Sequence, residues 1–543
     1  MKTNAIKFLS LMLVTFMVFC CFAACKPSKN EEKETISGDV TDEEATSNQE
    51  TEEQTSDIES DTSEESLSED TEADTESEGS VSEDTEADTE SVSEDTETVD
   101  DGLETDEDGY VLDSLPESYD WGGVEFRILQ WQQGHDFVVG AEANTSTINR
   151  VKFQSQKAVE SRFKVKIKVK EVSDGWGQSE ITSELEASVL SNYGTYDMVS
   201  NYTDSAGKSI TNGYCIKLND LEYIDFEMPW WPKHLLESAT IGENIYYAGG
   251  DINGENMMRN MCVTYVNLDM YKNYHMENLV GGRSIFEVVD DGDWTIEVFK
   301  KMALGSMDNE DDIYGLAFRD GEYFDAFLYS GGFTMIKTVN GVLCLDENLQ
   351  SAKMQKWVTE CQELLSQTHV DTKMDIGAFK DGRSLFGGDE TLTTAEEMSG
   401  EGKVNFSVLP MPKYDSDQEH YYTCEGVSSS LITVPADIKD SERVGMIVEG
   451  LASSNHRVVK DVVYYDVFQI RYSAAESADG ARMFDILYNS IVFDIGRVFT
   501  HNWGNSFTFR HVVADATANW ASTYEEQNGY WIQGINDLYV ALG

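Results

Sequence analysis

Between Val124 and Ser200 the hydrophobic period switches back and forth between two and about 3.6 residues, a pattern that few folds accept. Val124, Phe126 and Ile128 alternate with polar residues, as a half-buried strand does. From Thr145 to Phe163, Ile148, Val151, Val159 and Phe163 can share one helical face. Val165, Ile167 and Val169 alternate again, Ile181, Leu185 and Val189 recur every four residues, and Tyr196 to Ser200 reads as a short strand. Strand, helix, strand, helix, strand at this spacing predicts parallel pairing with helical crossovers, the doubly wound α/β class.

The pattern then becomes mixed. Ile245–Tyr247, Val263–Val266, Tyr314–Phe318, Val404–Val408 and Ser430–Val434 read as strands. Trp294, Val298 and Met302 share a helical face. So do Met354, Trp357, Val358, Cys361, Leu364 and Leu365, and the chain is mainly helical from Asp440. One open sheet rarely needs so many elements, so two lobes are expected.

What precedes this region differs in composition. Residues 26–115 hold 36 acidic residues and three lysines, and no aromatic residue occurs from Lys26 to Gly109. Ser68–Ser77 reads SEDTEADTES, and Ser82–Ser91 repeats it letter for letter. Such a segment buries too little apolar area to offset its ordering entropy, so a disordered, self-repelling tether is expected over 25–115. Glu104, Asp106, Asp108 and Gly109 resemble the start of a calcium loop, but Leu115 stands where the bidentate Glu belongs. Ahead of the tether, Lys2 and Lys7 form a short basic region before the apolar run Phe8–Phe22. Phe22-Ala23-Ala24-Cys25 resembles a bacterial lipoprotein signal, with Phe22 where the family usually has Leu. The resemblance implies a signal peptide over 1–24, lipidation at Cys25, and a location on the outer face of the cell membrane.

Charge and motifs exclude several functions. From Pro116 onward there are 65 acidic against 34 basic residues, which argues against nucleic acid and against an anionic bilayer as direct partner of the globular part. There is no G-x-S-x-G elbow, no H-E-x-x-H and no P-loop. No cofactor or metal is implied. The cysteines after Cys25 (215, 262, 344, 361 and 424) are odd in number and assign no bridge by spacing.

Several phrases, in order, resemble extracellular solute-binding proteins of ABC importers, the sugar-binding group among them. They are Trp121–Phe126 (WGGVEF), Tyr196–Val199 (YDMV), Leu218–Leu221 (LNDL) followed by Pro229–Trp231 (PWW), Ile245–Asp251 (IYYAGGD), Trp294-Thr295, Tyr314–Phe318 (YGLAF) and Phe406–Pro412 (FSVLPMP). The resemblance covers roughly residues 118–500. It implies two doubly wound lobes of the type II periplasmic-binding-protein kind, with a hinge crossed near Met261–Asn267 and again near Cys424–Ser430. The expected division is 116–262 plus 427–543 for the first lobe and 263–426 for the second. The implied function is capture of a solute between the lobes, a mono- or oligosaccharide first, for delivery to an ABC permease, by a monomer without catalytic activity.

Open α/β sheets bind ligands beyond the carboxyl ends of their strands. Applied here, that rule selects Gln130 and Trp131 with Gln132 and Gln133, then Asn201, Tyr202 and Asp204, then Arg319 and Asp320. The implied return crossing adds Glu425, and Trp503 is a late-chain candidate for stacking. Aromatic faces with amides, carboxylates and a guanidinium suit a sugar ring and its hydroxyls. Trp131 either stacks on the solute or packs under a loop, and Asn201 and Asp204 stand where a helix starts, which favours capping over ligand contact. Arg319 could instead hold a peptide carboxylate. A surface polysaccharide-active enzyme and an adhesive surface protein are further alternatives.

Overall fold

The computed structural model describes residues 103–542 apart from 108, 141–144, 306–311, 320–321, 368–369, 372–375, 390–391, 399–403, 464–477 and 504–506. The apolar leader, Cys25, the acidic repeats and Asp320 lie outside the described residues. Eleven strands matter to the site: β1 Glu125–Trp131, β2 Lys166–Val172, β3 Met198–Tyr202, β4 Val263–Asn267, β5 Tyr314–Phe318, β6 Val370–Asp371, β7 Ser384–Asp389, β8 Phe406–Leu409, β9 Thr423–Cys424, β10 Ser430–Thr433 and β11 Ile491–Val492. The helices used below are α1 Thr147–Phe163, α2 Glu180–Ser191, α3 Thr203–Thr211, α4 Glu322–Ser330, α5 Ala352–Leu365, α6 Ser441–Asp461, α7 Ala478–Asn489, α8 Thr508–Ala514 and α9 Trp520–Leu542.

The first sheet has the order β10-β3-β1-β2. β1 pairs in parallel with both neighbours, and β10 runs antiparallel to β3. Ala248 bridges Ile432 on the outer side of β10. The second sheet has the order β6-β5-β7-β4-β8, with β4 antiparallel to both β7 and β8. Each lobe is thus a parallel sheet with one reversed strand, and the reversed strand in each is the one that leads to or from the other lobe. The expected two-lobe α/β architecture is present.

Local chemistry sets the helix ends. Ser146 caps α1 by accepting from the Asn149 amide, and the chain leaves α1 through Lys164 at φ 51°. In α5 the whole expected stripe, Met354, Trp357, Val358, Cys361, Leu364 and Leu365, is buried. The strand period divides β1 between two cores. Phe126 and Ile128 join a core with Val159, Phe163 and the apolar side of α6. Leu129 and Trp131 enter the opposite core with Ile181, Leu185 and Ala206. That second core continues without a break into the second lobe and the C-terminal helices.

Two features depart from the expectations. Residues 103–115, expected to belong to the disordered tether, pack on the first lobe. Asp113 pairs with Arg162 of α1 at 2.7 Å, the Tyr110 hydroxyl donates to Asp461 at 2.6 Å, and Leu115 is buried. The few apolar residues at the end of the tether explain this, since they supply what the repeats lack. In the calcium-like phrase, Asp106 accepts from the Tyr110 amide and pairs with Arg457 at 2.6 Å. Its carboxylate is therefore engaged by protein groups, and among the described residues no group of side chains could hold a metal ion.

The second departure is the C-terminal segment, expected to belong to the first lobe with a shared end. Its short helix Ile495–Val498 and α9 pack on α3 of the first lobe, while α8 packs on α4 and α5 of the second. Gly207 in α3 permits the first contact, because a Cβ there would lie 2.0 Å from the Val498 carbonyl oxygen. Arg497 and Arg510 both reach Asp325 of α4. Among the described residues no helix is long and apolar enough to cross a membrane.

Candidate functional site

Register locates the site. Val263, the first residue of β4, pairs with Asp389, the last of β7. Ser430, the first of β10, pairs with Tyr202, the last of β3. Between them Met261 pairs with Glu425, and β9 adds β11 as a parallel neighbour. The carboxyl ends of both sheets therefore face one ribbon of three short strands. This is the place where open α/β sheets take ligands, duplicated and opposed.

On the first lobe, a hydrogen-bonded floor joins the loops that leave the strands. The Trp131 indole donates to Ser430 Oγ at 2.8 Å, and its ring meets Tyr202 edge-on at 5.2 Å. A Cβ at Gly134 would lie 2.4 Å from that indole nitrogen, so glycine lets the loop fold back over Trp131. Asn256 donates to the Gly134 carbonyl at 3.2 Å and accepts from the Ser430 amide at 2.6 Å. Asp136 accepts from the Ser200 hydroxyl and from Asn253 Nδ2 at 3.4 Å. Beside it Lys152 and Glu255 form a buried ion pair at 2.8 Å, and Lys152 also donates to the His135 carbonyl. Burial pushes the Asp136 carboxyl up to about 7, against the opposing pull of its Ser200 and Ser430 hydrogen bonds and of Lys152.

Most of the residues that the strand-end rule selected are used by this floor. Gln130 is fully buried. Its carboxamide clamps the Phe137 backbone, accepting from the amide at 3.0 Å and donating to the carbonyl at 2.9 Å, and it also donates to Glu171. Trp131 and Tyr202 are each 3% exposed. Asn201 donates to the Leu431 carbonyl and to Thr433 Oγ1, tying β3 to β10. Asp204 lies in the first turn of α3, paired with Lys208 at 2.6 Å and His501 at 3.7 Å. Burial raises its carboxyl, but hydrogen bonds from His501 and Lys208 outweigh that and hold it below the usual range. Glu425 is 2% exposed, at the centre of the ribbon, and accepts from Ser429 Oγ. Trp503 is buried in the C-terminal segment, its indole donating to the Gly496 carbonyl at 2.9 Å, which removes it as a stacking face. Among the described candidates, Arg319 presents an open side chain on the second lobe, 41% exposed and 3.9 Å from buried Asp389, and Gln132 and Gln133 are exposed on the first.

Other strand-end residues do face outward. Gln132, Gln133 and His135 are exposed on the loop after β1. Trp176, on the loop after β2, is 57% exposed, meeting Phe507 edge-on with ring centroids 5.1 Å apart. On the same loop Asp174 is 1% exposed, and among the described residues neither of its carboxylate oxygens has a hydrogen-bond partner. The strand-end rule could have found both, because they lie on the loop that leaves the strand Lys166–Val172 at its carboxyl end. On the second lobe, the Leu392 amide donates to the Arg259 carbonyl, so the loop after β7 touches the segment entering the ribbon. Two adjoining cavities of about 250 and 370 Å³ also flank β11. They are lined by Leu235, Met257 and Tyr488 on one side and Tyr421 and Tyr422 on the other, and neither reaches Trp131, Tyr202 or Arg319.

Compared with protein-family models the chain matches none, and no curated protein matches it in sequence. Solved structures do match. A cyclo/maltodextrin-binding protein complexed with maltotetraose aligns over 76% of this chain and 96% of that chain, at 12% identity and a TM-score of 0.50. The fold is that of the two-lobed solute-binding proteins. An extracellular solute-binding protein from Staphylococcus aureus in complex with maltose aligns over 76% and 98% of the two chains, at 13% identity and a TM-score of 0.49. An ABC substrate-binding protein from Listeria monocytogenes in complex with cycloalternan aligns over 78% and 99%, at 11% identity and a TM-score of 0.47.

Proposed function

We propose that the chain is an extracellular receptor that captures a carbohydrate between its two lobes and passes it, unaltered, to an ABC permease. The observation that carries this reading is the opposition of two sets of strand carboxyl ends across a three-strand ribbon. Such a ribbon can bend while each lobe stays rigid, which is how hinge closure captures a ligand. The likeness to a maltotetraose-bound structure supports the fold.

The contact set follows from exposure. Trp176 offers an apolar ring face, Gln132, Gln133 and His135 offer exposed polar groups on the first lobe, and Arg319 offers an open guanidinium at the end of β5 on the second. Trp131, Asn201 and Tyr202 support this set from beneath. In this reading the first lobe comprises 116–262 and 427–463, the second 263–426, and residues 478–542 brace both. Lipidation at Cys25 and the acidic spacer hold the receptor off the membrane.

Thermal unfolding of the protein in the presence of maltose, maltotetraose, monosaccharides, polyols and short peptides tests the reading. A ligand at a hundredfold excess over its Kd adds about 2.7 kcal/mol to apparent stability. A rise with one or more saccharides and none with peptides is expected. A rise with peptides alone, or hydrolysis of a saccharide during incubation, overturns it.

A further inference from the structure

The two strands that join the lobes bring Cys262 and Cys424 face to face. The Cys262 amide donates to the Cys424 carbonyl at 2.9 Å, the Gly426 amide donates to the Asn260 carbonyl at 2.7 Å, and Met261 bridges Glu425 between them. That pattern fixes the register: Cys262 stands directly opposite Cys424 in an antiparallel pair. Residues so placed have Cα atoms about 5.5 Å apart and side chains on the same face. This lies inside the roughly 4.4–6.8 Å that a disulfide spans. Both lie within electrostatic range of α4, Cys262 acting on Tyr323 and Cys424 on Tyr329. Both are buried and reduced in the structure.

The other three cysteines have no such placement. Cys215 bridges Pro435 in the first lobe, Cys344 lies in a strand of a two-stranded hairpin and Cys361 within α5. Burial raises the thiols of Cys215 and Cys361 above their ordinary range.

We propose that Cys262 and Cys424 are a disulfide site that staples the two lobe-connecting strands. The bond forms by thiol–disulfide exchange with an oxidant of the small-molecule disulfide or thiol-oxidoreductase class. The thiolate of Cys424 attacks the oxidant's disulfide and expels one thiolate. The thiolate of Cys262 then attacks the Cys424 sulfur of that mixed disulfide and expels the second. Two protein thiols become one S–S bond, and the oxidant's disulfide becomes two thiols. The Arg497 guanidinium, 3.7 Å from Cys424 Sγ, places a cation beside the sulfur that initiates the exchange. In the cell the oxidant is met outside the membrane, so the physiological setting rests on the proposed location, whereas the chemistry in vitro does not. The staple closes a long loop that contains the second lobe, and it joins strands already paired in the native fold, so it constrains the unfolded chain most.

The test is refolding of reduced, denatured full chain in mixed oxidised and reduced glutathione, followed by mass spectrometry of a non-reduced digest. The expected result is a peptide pair linking Cys262 to Cys424, an intact mass lower by two hydrogens, and a higher unfolding midpoint than the reduced protein. Cys262→Ser and Cys424→Ser should each lose the linked peptide and the midpoint difference. Recovery of both cysteines as separately alkylated thiols or glutathione adducts, or linkage of either to Cys215, Cys344 or Cys361, overturns the proposal. The wild-type digest decides the matter even if a serine variant fails to fold.

Discussion

Glu449 is the buried acid whose cost can be worked most directly from the structure. It lies in α6, 1% exposed, with Oε1 accepting from the Trp230 indole at 2.9 Å and Oε2 from the Trp231 indole at 3.0 Å. Burial drives its carboxyl from 4.5 up to about 8, and the two indole hydrogen bonds offset only part of that rise. A folded value above the unfolded one means that the native state binds the proton more tightly. The contribution is therefore fully present below pH 4.5 and is lost as pH rises through about 8. At 1.36 kcal/mol per unit, the span is worth roughly 4–5 kcal/mol as an upper scale. Glu449→Gln removes the titration. Its amide oxygen keeps one indole partner, while its NH2 faces the other indole donor, at a pH-independent cost of about 1–2 kcal/mol. The variant should be the weaker protein by that amount at pH 4 and the stronger by about 2–3 kcal/mol at pH 9. Denaturant unfolding of both proteins across that range gives the difference, in which titrations common to both cancel. A difference that stays flat, or one that moves against the variant as pH rises, would refute a neutral buried Glu449.

Further expectations follow from the same contacts. Trp131→Ala should cost roughly 3–5 kcal/mol of stability, as buried aromatics do, while protein that remains folded keeps its affinity. Chemical denaturation with titration of the same sample checks both parts. Arg162→Ala removes the pair to Asp113, so limited proteolysis should cut within residues 103–115 at least tenfold faster, with the rest of the protein intact. Cys25→Ala should abolish lipidation of the precursor, and mass spectrometry of the membrane fraction would contradict this by finding an unchanged lipid-bearing N-terminus.

The lobes were legible because their strands and helices carry clear periods. The site was legible as a place and less so as a set of side chains. Alternation in β1 shows that Phe126 and Ile128 share a face, which already assigns Trp131 to the other face. What the sequence does not show is that this other face is covered by α2, α3 and the C-terminal segment, so Trp131 becomes floor. Gln130, Asn201 and Asp204 were visible as polar residues at strand ends, but their partners lie in Phe137, Thr433 and His501, two of them hundreds of residues away. Trp176 and Asp174 follow a strand that the alternation did reveal, and the rule was simply not carried that far. The bridging role of residues 478–542 depends on contacts to both lobes, which no local period encodes.

Trp176 gives the most direct test of saccharide capture between the lobes. Titration calorimetry of the protein and of Trp176→Ala with the saccharide that most raises thermal stability measures that capture. Saturable one-to-one binding is expected for the wild type, with affinity at least tenfold weaker in the variant and fold stability changed by no more than about 0.5 kcal/mol. Equal affinity in the two proteins, or no heat from any saccharide, would contradict a carbohydrate site at the opposed strand ends.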